Sequence, residues 1–284
     1  MLKFFSFCCN INRISEQDLL FALKLLLCSL DYYVKEYEFI LYTNFNINDE
    51  IILNNTNIKI RNYYDNSTIN YYNDIWLNMS FNKINIYKDL YDEFNDNYIW
   101  IDLDTIITYD ISYLDHIDNF FIEHGGNCIG LKHEIIKNNF YINVNKYIQG
   151  SLWKININLY NSLITLHNEV YSKNLKIEYD TQGLFAYYIY YTLNGELDKN
   201  NINIYGVNFK NNTINGLGIW SNDENKNKHA NINALENMYY ENNILKTKYY
   251  PDKEIHFFMA TFYTLNEIKH STEFKKLFGY LPIV

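Results

Sequence analysis

Apolar residues fill most of positions 2–9, and beyond a polar loop they return at helical spacing as Leu19, Leu20, Leu23, Leu26, Leu27 and Leu30. The first run predicts a buried strand and the second a helix with one apolar face. Ser15 stands where the helix needs an N-cap, and Asp18 three residues later approximates a capping box with the shorter carboxylate. A compact apolar run at 38–43 and a shorter one at 57–61 predict two more strands, so the opening is βαβ-like. From Asp74 to Phe94 the residues Ile75, Met79, Ile86, Leu90 and Phe94 keep an approximate helical period, and Asn95 to Asn97 end it. Tyr98-Ile99-Trp100-Ile101 then reads as a central strand. Further on, 128–131, 147–155 and 201–207 look extended, while 159–170 and 181–191 look helical. The stretch 221–233 is the most polar of the chain and is expected to be a mobile loop. No repeat is visible.

Composition narrows the picture. A chain of 284 residues can bury a sizeable core, and 18% aromatic residues with only 10 Gly and 2 Pro exclude a disordered or collagen-like protein. Asn occurs 45 times but Arg only twice, at Arg13 and Arg61. That skew follows A/T-rich codons, so triplets such as Asn78-Met79-Ser80 reflect abundant Asn rather than secretion. The net charge of -9 argues against nucleic acid as a partner, because such affinity comes from neutralising phosphates with Lys and Arg. An acidic chain that handles a phosphorylated small molecule needs a divalent cation to offset the charge. No apolar run approaches the roughly 20 residues of a bilayer span, and 1–9 is too short for a secretory signal. Cys8, Cys9, Cys28 and Cys128 have neither metal spacing nor a disulfide framework, which fits reduced core thiols and a cytoplasmic location.

The carboxylates worth attention follow the central strand as Asp102-Leu103-Asp104. Residues two apart at a strand end can turn to one side. Two carboxylates facing one point suit a hard cation, Mn²⁺ or Mg²⁺, shared with the oxygens of a substrate diphosphate. Ligands of open α/β sheets bind beyond the carboxyl ends of the strands, so position and chemistry agree.

The segment from Tyr98 to Leu114, with Asp102-Leu103-Asp104, then Thr105-Ile106-Ile107 and Asp110-Ile111-Ser112-Tyr113-Leu114, resembles the metal-binding strand of GT-A glycosyltransferases. The order of the other pieces is similar to the glycogenin-like galactosyl- and glucosyltransferase branch. The resemblance implies an α/β, Rossmann-like GT-A domain with a mixed, mostly parallel central sheet flanked by helices, followed by a C-terminal extension at 261–284. It implies transfer of a hexose from a nucleoside-diphosphate sugar, UDP-glucose, UDP-galactose or UDP-GlcNAc, to a hydroxyl of a sugar, glycan or protein, with retention. By the same resemblance Asp102, Asp104 and the late His256 would hold the metal. Cys9, Asn10, Lys83, Asp102, Leu103, Gln149 and Gly150 would meet the donor, and Trp153 the acceptor. Asp180 and Gln182 would stand beside the reacting sugar. Gln149 replaces the family's usual Asn, and the glycine and Lys-Pro expected after His256 are absent. The other histidines lie in polar or loop contexts and are expected at the surface.

Two other classes fit parts of this pattern. Asp102-Leu103-Asp104-Thr105 also matches the nucleophile strand of haloacid-dehalogenase-type phosphatases, but that pattern sits near a chain start and its late acidic pair is missing here. A sugar-nucleotide-binding module without catalysis would accommodate the departures at Gln149 and after His256.

Overall fold

The computed structural model describes residues 1–11, 14–65, 75–124, 147–172, 180–193, 201–205, 215–218, 235–248, 250–259, 265–266 and 268–284. The expected strand at 128–131 and mobile loop at 221–233 lie outside them. The elements follow in the order β1 (Leu2–Cys8), α1 (Glu16–Tyr33), β2 (Tyr37–Thr43), α2 (Glu50–Leu53), β3 (Ile58–Asn62), α3 (Ile75–Phe94), β4 (Ile99–Ile101) and β5 (Thr105–Ile107). There follow β6 (Asn119–His124), β7 (Tyr147–Lys154), α4 (Ile157–Ser172), α5 (Asp180–Tyr187), β8 (Ile202–Tyr205), β9 (Asn215–Gly218), β10 (Met238–Glu241), β11 (Ile244–Thr247), β12 (Tyr250–Met259) and α6 (Thr272–Phe278).

The fold is α/β. Its central sheet has seven strands in the order β3-β2-β1-β4-β7-β6-β8. β3, β2, β1 and β4 pair in parallel, as do β6 and β8, while β7 runs antiparallel to both its neighbours. The sheet is thus mixed and mostly parallel, with helices on its faces, as the sequence led us to expect. Alternation along β1 sends Leu2, Phe4 and Cys8 into one core cluster and Phe5 and Phe7 into another. Both faces of this strand are covered, which is why it reads as a continuous apolar run.

Local signals account for the helix ends. The Ser15 hydroxyl accepts the Asp18 amide at 3.2 Å, satisfying one of the orphan donors of α1. α1 buries Leu19, Ala22, Leu23, Leu25, Leu26, Leu27, Ser29 and Leu30. Each large apolar side chain among them contributes about 1.5–3 kcal/mol on leaving water, enough to fix which face turns inward. α3 ends at Asn95 in the left-handed conformation, φ 52°, a position that asparagine tolerates.

A second sheet, β10-β11-β12-β5 with β9 beside β12, was not foreseen. β5 is the short apolar run that follows Asp102-Leu103-Asp104; it pairs antiparallel with β12, Phe257 facing Ile107 and Met259 facing Thr105. The buried Ser29 hydroxyl of α1 accepts the Ile107 amide at 2.9 Å. The acidic segment 102–104 is therefore the joint at which the chain leaves the central sheet and enters the second one.

The expected extension at the C-terminus is packed into the main core. Phe274, Leu277, Phe278 and Leu281 are buried in the same cluster as β1 and β12, and the Phe278 ring lies 5.0 Å from that of Phe258. One histidine also departs from expectation. His167 is buried, stacked on Phe81 with ring centroids 4.1 Å apart, and burial lowers its pKa. Its position on the inner face of α4 overrides its polarity. Among the described residues, no helix is long and apolar enough to cross a membrane.

Candidate active site

The chain runs outward from β1 to β2 and β3, then crosses back through α3 to place β4 on the other side of β1. The order of strands reverses between β1 and β4, and the carboxyl ends of strands at such a reversal border the ligand crevice of open α/β sheets. Asp102 to Asp104 leave β4 at this point, and Cys9 and Asn10 leave β1 beside them.

Asp102 is held on three sides. Its amide donates to the Ser151 carbonyl of β7 at 2.7 Å. Its Oδ1 accepts from Lys83 Nζ at 2.9 Å and from Trp100 Nε1 at 2.9 Å. Trp100 shares a face with Asp102 because strand side chains alternate with period two. Its ring face also receives the Lys83 ammonium, 4.3 Å from the centroid, a distance at which the ring quadrupole attracts a cation. Phe7 of β1 packs edge-on against Trp100 at 4.7 Å, so the group that orients Asp102 is itself fixed by the core.

Asp104 is half-buried. Burial, and next the charge of Asp102, push its carboxyl well above the usual carboxylate range; the Lys83 charge opposes them in part. The Lys83 ammonium is seated on Asp102, and with two carboxyls near one another a second negative charge, on Asp104, is disfavoured. That hard-oxygen donor set suits Mg²⁺ or Mn²⁺.

α5 brings the next group. The Thr181 hydroxyl donates to the Ser80 carbonyl at 2.6 Å, and the two hydroxyls lie 3.0 Å apart. This ties the start of α5 to α3 one turn before Lys83. The Gln182 side chain crosses Gly150 of β7 so closely that a Cβ at Gly150 would stand 2.8 Å from Gln182 Cγ. Gly150 adjoins Ser151, whose carbonyl receives the Asp102 amide. Lys83, Asp102, Gly150 and Gln182 therefore form one neighbourhood. Asp180 opens α5 at its edge, and Gln149 stands in β7 opposite Ile122.

Four of the expected site residues lie in surroundings of another kind. His256, expected as the third metal ligand, is not brought to the carboxylates. The Thr108 amide donates to its carbonyl at 3.0 Å, so the register of β12 on β5 sets it four residues beyond Asp104, ~13 Å along a strand. Its ring is committed elsewhere, with Nδ1 3.0 Å from the Tyr113 hydroxyl, Nε2 3.1 Å from Glu254 Oε2 and Tyr109 stacked on it at 4.1 Å. Burial lowers its pKa, against the pull of Glu254; the neutral ring then donates from Nε2 and accepts the Tyr113 proton at Nδ1. Among the described residues, no group of three or more His, Cys, Asp or Glu could hold a metal ion. Trp153, expected at the acceptor, is fully buried between Phe5, Tyr87, Trp100 and Phe185, because both faces of β7 are covered. Leu103, expected at the donor, is buried in the main core cluster. The Cys9 thiol, 3.6 Å from the Tyr42 carbonyl, is buried and pushed up to about 12. Leu103 and Cys9 can meet a ligand only through their main chain.

Asn10 is half-buried and its main chain is clamped. The Asn44 amide group accepts from Asn10 N and donates to Asn10 O, both at 2.8 Å, while Asn10 Nδ2 donates to Glu16 at 3.3 Å. Asn44, Trp100, Ser151 and Thr181 were not singled out from the sequence. Trp100 had a local signal, its two-residue spacing from Asp102; the others arrive through pairings distant in the chain. No family model matches the chain, and a search of the curated proteins returns no match.

Proposed function

We propose that the chain is a metal-dependent glycosyltransferase that takes a hexose from a nucleoside diphosphate, UDP-glucose, UDP-galactose or UDP-GlcNAc, and passes it to a hydroxyl acceptor. The observation that carries the reading is the Asp102 and Asp104 pair at the carboxyl end of β4, beside β1 where the strand order reverses. Asp102 and Asp104 would hold Mn²⁺ or Mg²⁺, which when bound supplies Lewis-acid stabilisation to the departing diphosphate. Lys83 would offer a cation to the phosphates, and Gln182, which lies on Gly150, would orient the sugar. A retaining reaction needs no side-chain base, because the leaving phosphate can accept the acceptor proton.

The commitment of His256 to Tyr113 and Glu254 favours a second reading, a sugar-nucleotide-binding module without turnover. Calorimetry with UDP and Mn²⁺, joined to a UDP-release assay over a panel of UDP-sugars, separates the two. Metal-dependent UDP binding with turnover supports the transferase, binding without turnover supports the module, and absence of binding overturns both.

A further inference from the structure

Lys83 is positioned as more than a neighbour of the acidic pair. Its ammonium lies on Asp102 Oδ1 at 2.9 Å and over the Trp100 ring at 4.3 Å, while Trp100 Nε1 donates to the same oxygen. The Lys83 side chain is 15% exposed and that of Asp102 27%. One carboxylate oxygen of Asp102 is therefore already shared by two donors, one of them a full positive charge. A divalent cation arriving at Asp102 and Asp104 meets that charge at contact range, where like charges in a partly buried site repel.

We propose that Lys83 is a resident counter-ion of the Asp102 and Asp104 seat, displaced when a divalent cation binds. The freed ammonium then needs an anion, so the cation and a diphosphate-bearing ligand bind together more tightly than either does alone. This inference rests on the proposed metal-dependent function. The charge count explains the coupling. With Lys83 seated, Asp102 has its compensating charge; a divalent cation that takes that place leaves Lys83 unpaired beside Trp100. A phosphate group restores the balance, and by linkage each ligand raises the affinity for the other by the same factor. Trp100 keeps the displaced ammonium close, because its ring face remains available when the carboxylate does not.

Calorimetry of Mn²⁺ with wild type and Lys83→Met, each with and without UDP, tests the idea. Wild type is expected to bind Mn²⁺ weakly alone and about tenfold or more tightly with UDP. Lys83→Met is expected to bind Mn²⁺ alone about tenfold more tightly than wild type, with the gain from UDP much reduced. If wild type binds Mn²⁺ while Lys83→Met binds it no better, the displacement is wrong and the metal-dependent function stands. If neither protein binds Mn²⁺ with or without UDP, the proposed function falls and the inference with it. A second measurement needs no variant. Acylation of Lys83 in wild type by an amine-reactive reagent, read by mass spectrometry, should be faster with Mn²⁺ than without and slow again when UDP is added. An unchanged rate under conditions where calorimetry records bound Mn²⁺ overturns the displacement.

Discussion

Two polar clusters flank β5, and they are built on opposite principles. At its start, Asp102 holds the Lys83 ammonium, and burial and its neighbour's charge raise the pKa of Asp104. Past its end, His256 has a partner on each ring nitrogen and a ring stacked on its face. The first cluster is left short of positive charge and the second is closed on itself. A site that must receive a cation needs the former condition, whereas a buried histidine that holds strands together needs the latter. Residue type alone marks both as metal ligands; the partners tell them apart.

The largest effect expected from this contrast is at Asp104. Asp104→Asn should reduce metal-dependent UDP affinity about a thousandfold, roughly 4 kcal/mol, while the metal-free protein melts no earlier than wild type, because a carboxylate disfavoured by burial is gone. Thermal melts with and without UDP and Mn²⁺ read both quantities. Equal stabilisation of mutant and wild type by the ligands would remove the carboxyl end of β4 from the site.

His256→Ala should behave in the opposite way. Loss of a buried ring with two hydrogen bonds is expected to lower stability by about 2–3 kcal/mol, with the Mn²⁺ dependence of UDP binding retained. Urea unfolding and calorimetry on the same protein check this. A variant that keeps its stability and loses metal-dependent binding would reverse the comparison and return His256 to the metal.

How far the sequence could see this follows from which signals are local. The apolar runs of β1 and β2, the Ser15 cap and the stop at Asn95 depend on neighbours in the chain, and each appears where its pattern put it. The hairpin of β10 and β11 also had a local signal. Asn242 and Asn243 both adopt positive φ, 53° and 63°, the conformation of a two-residue hairpin turn, but the pair was lost in a chain with 45 Asn. Register is another matter. The distance of His256 from Asp104 is set by the pairing of β12 with β5, and the burial of Trp153 by coverage of both faces of β7. Neither is written in spacing along the chain.

Proton linkage sharpens the comparison with smaller effects of opposite sign. The folded state keeps a proton on Asp104 above the ordinary carboxylate range, so it binds more protons than the unfolded chain there. Its contribution to stability is complete below about pH 4 and is lost as pH rises through the folded pKa. His256 is held neutral, so its contribution is complete above about pH 6.5 and is lost as pH falls through the lowered folded pKa. Each limb approaches a slope of about 1.4 kcal/mol per pH unit at most. Urea midpoints measured across this range should lose the first limb in Asp104→Asn or with saturating Mn²⁺, and the second in His256→Gln. A first limb that survives in Asp104→Asn would assign it to another carboxyl.

The smallest effect concerns the packing beside the acidic pair. In Gly150→Ala the new methyl would stand 2.8 Å from Gln182 Cγ and 3.4 Å from its Nε2, so the glutamine must leave its place across β7. A flexible side chain moves for about 1 kcal/mol or less, and the melt should shift little. If Gln182 orients the sugar, UDP release should still slow several-fold. Gln182→Ala should slow it similarly, and the double variant no further, because the two changes act on one contact. Full turnover in Gly150→Ala and Gln182→Ala would make Gln182 a spacer between α5 and β7. The chemistry would then rest on Asp102, Asp104 and Lys83 alone, leaving the unbalanced cluster at the start of β5 without help from α5.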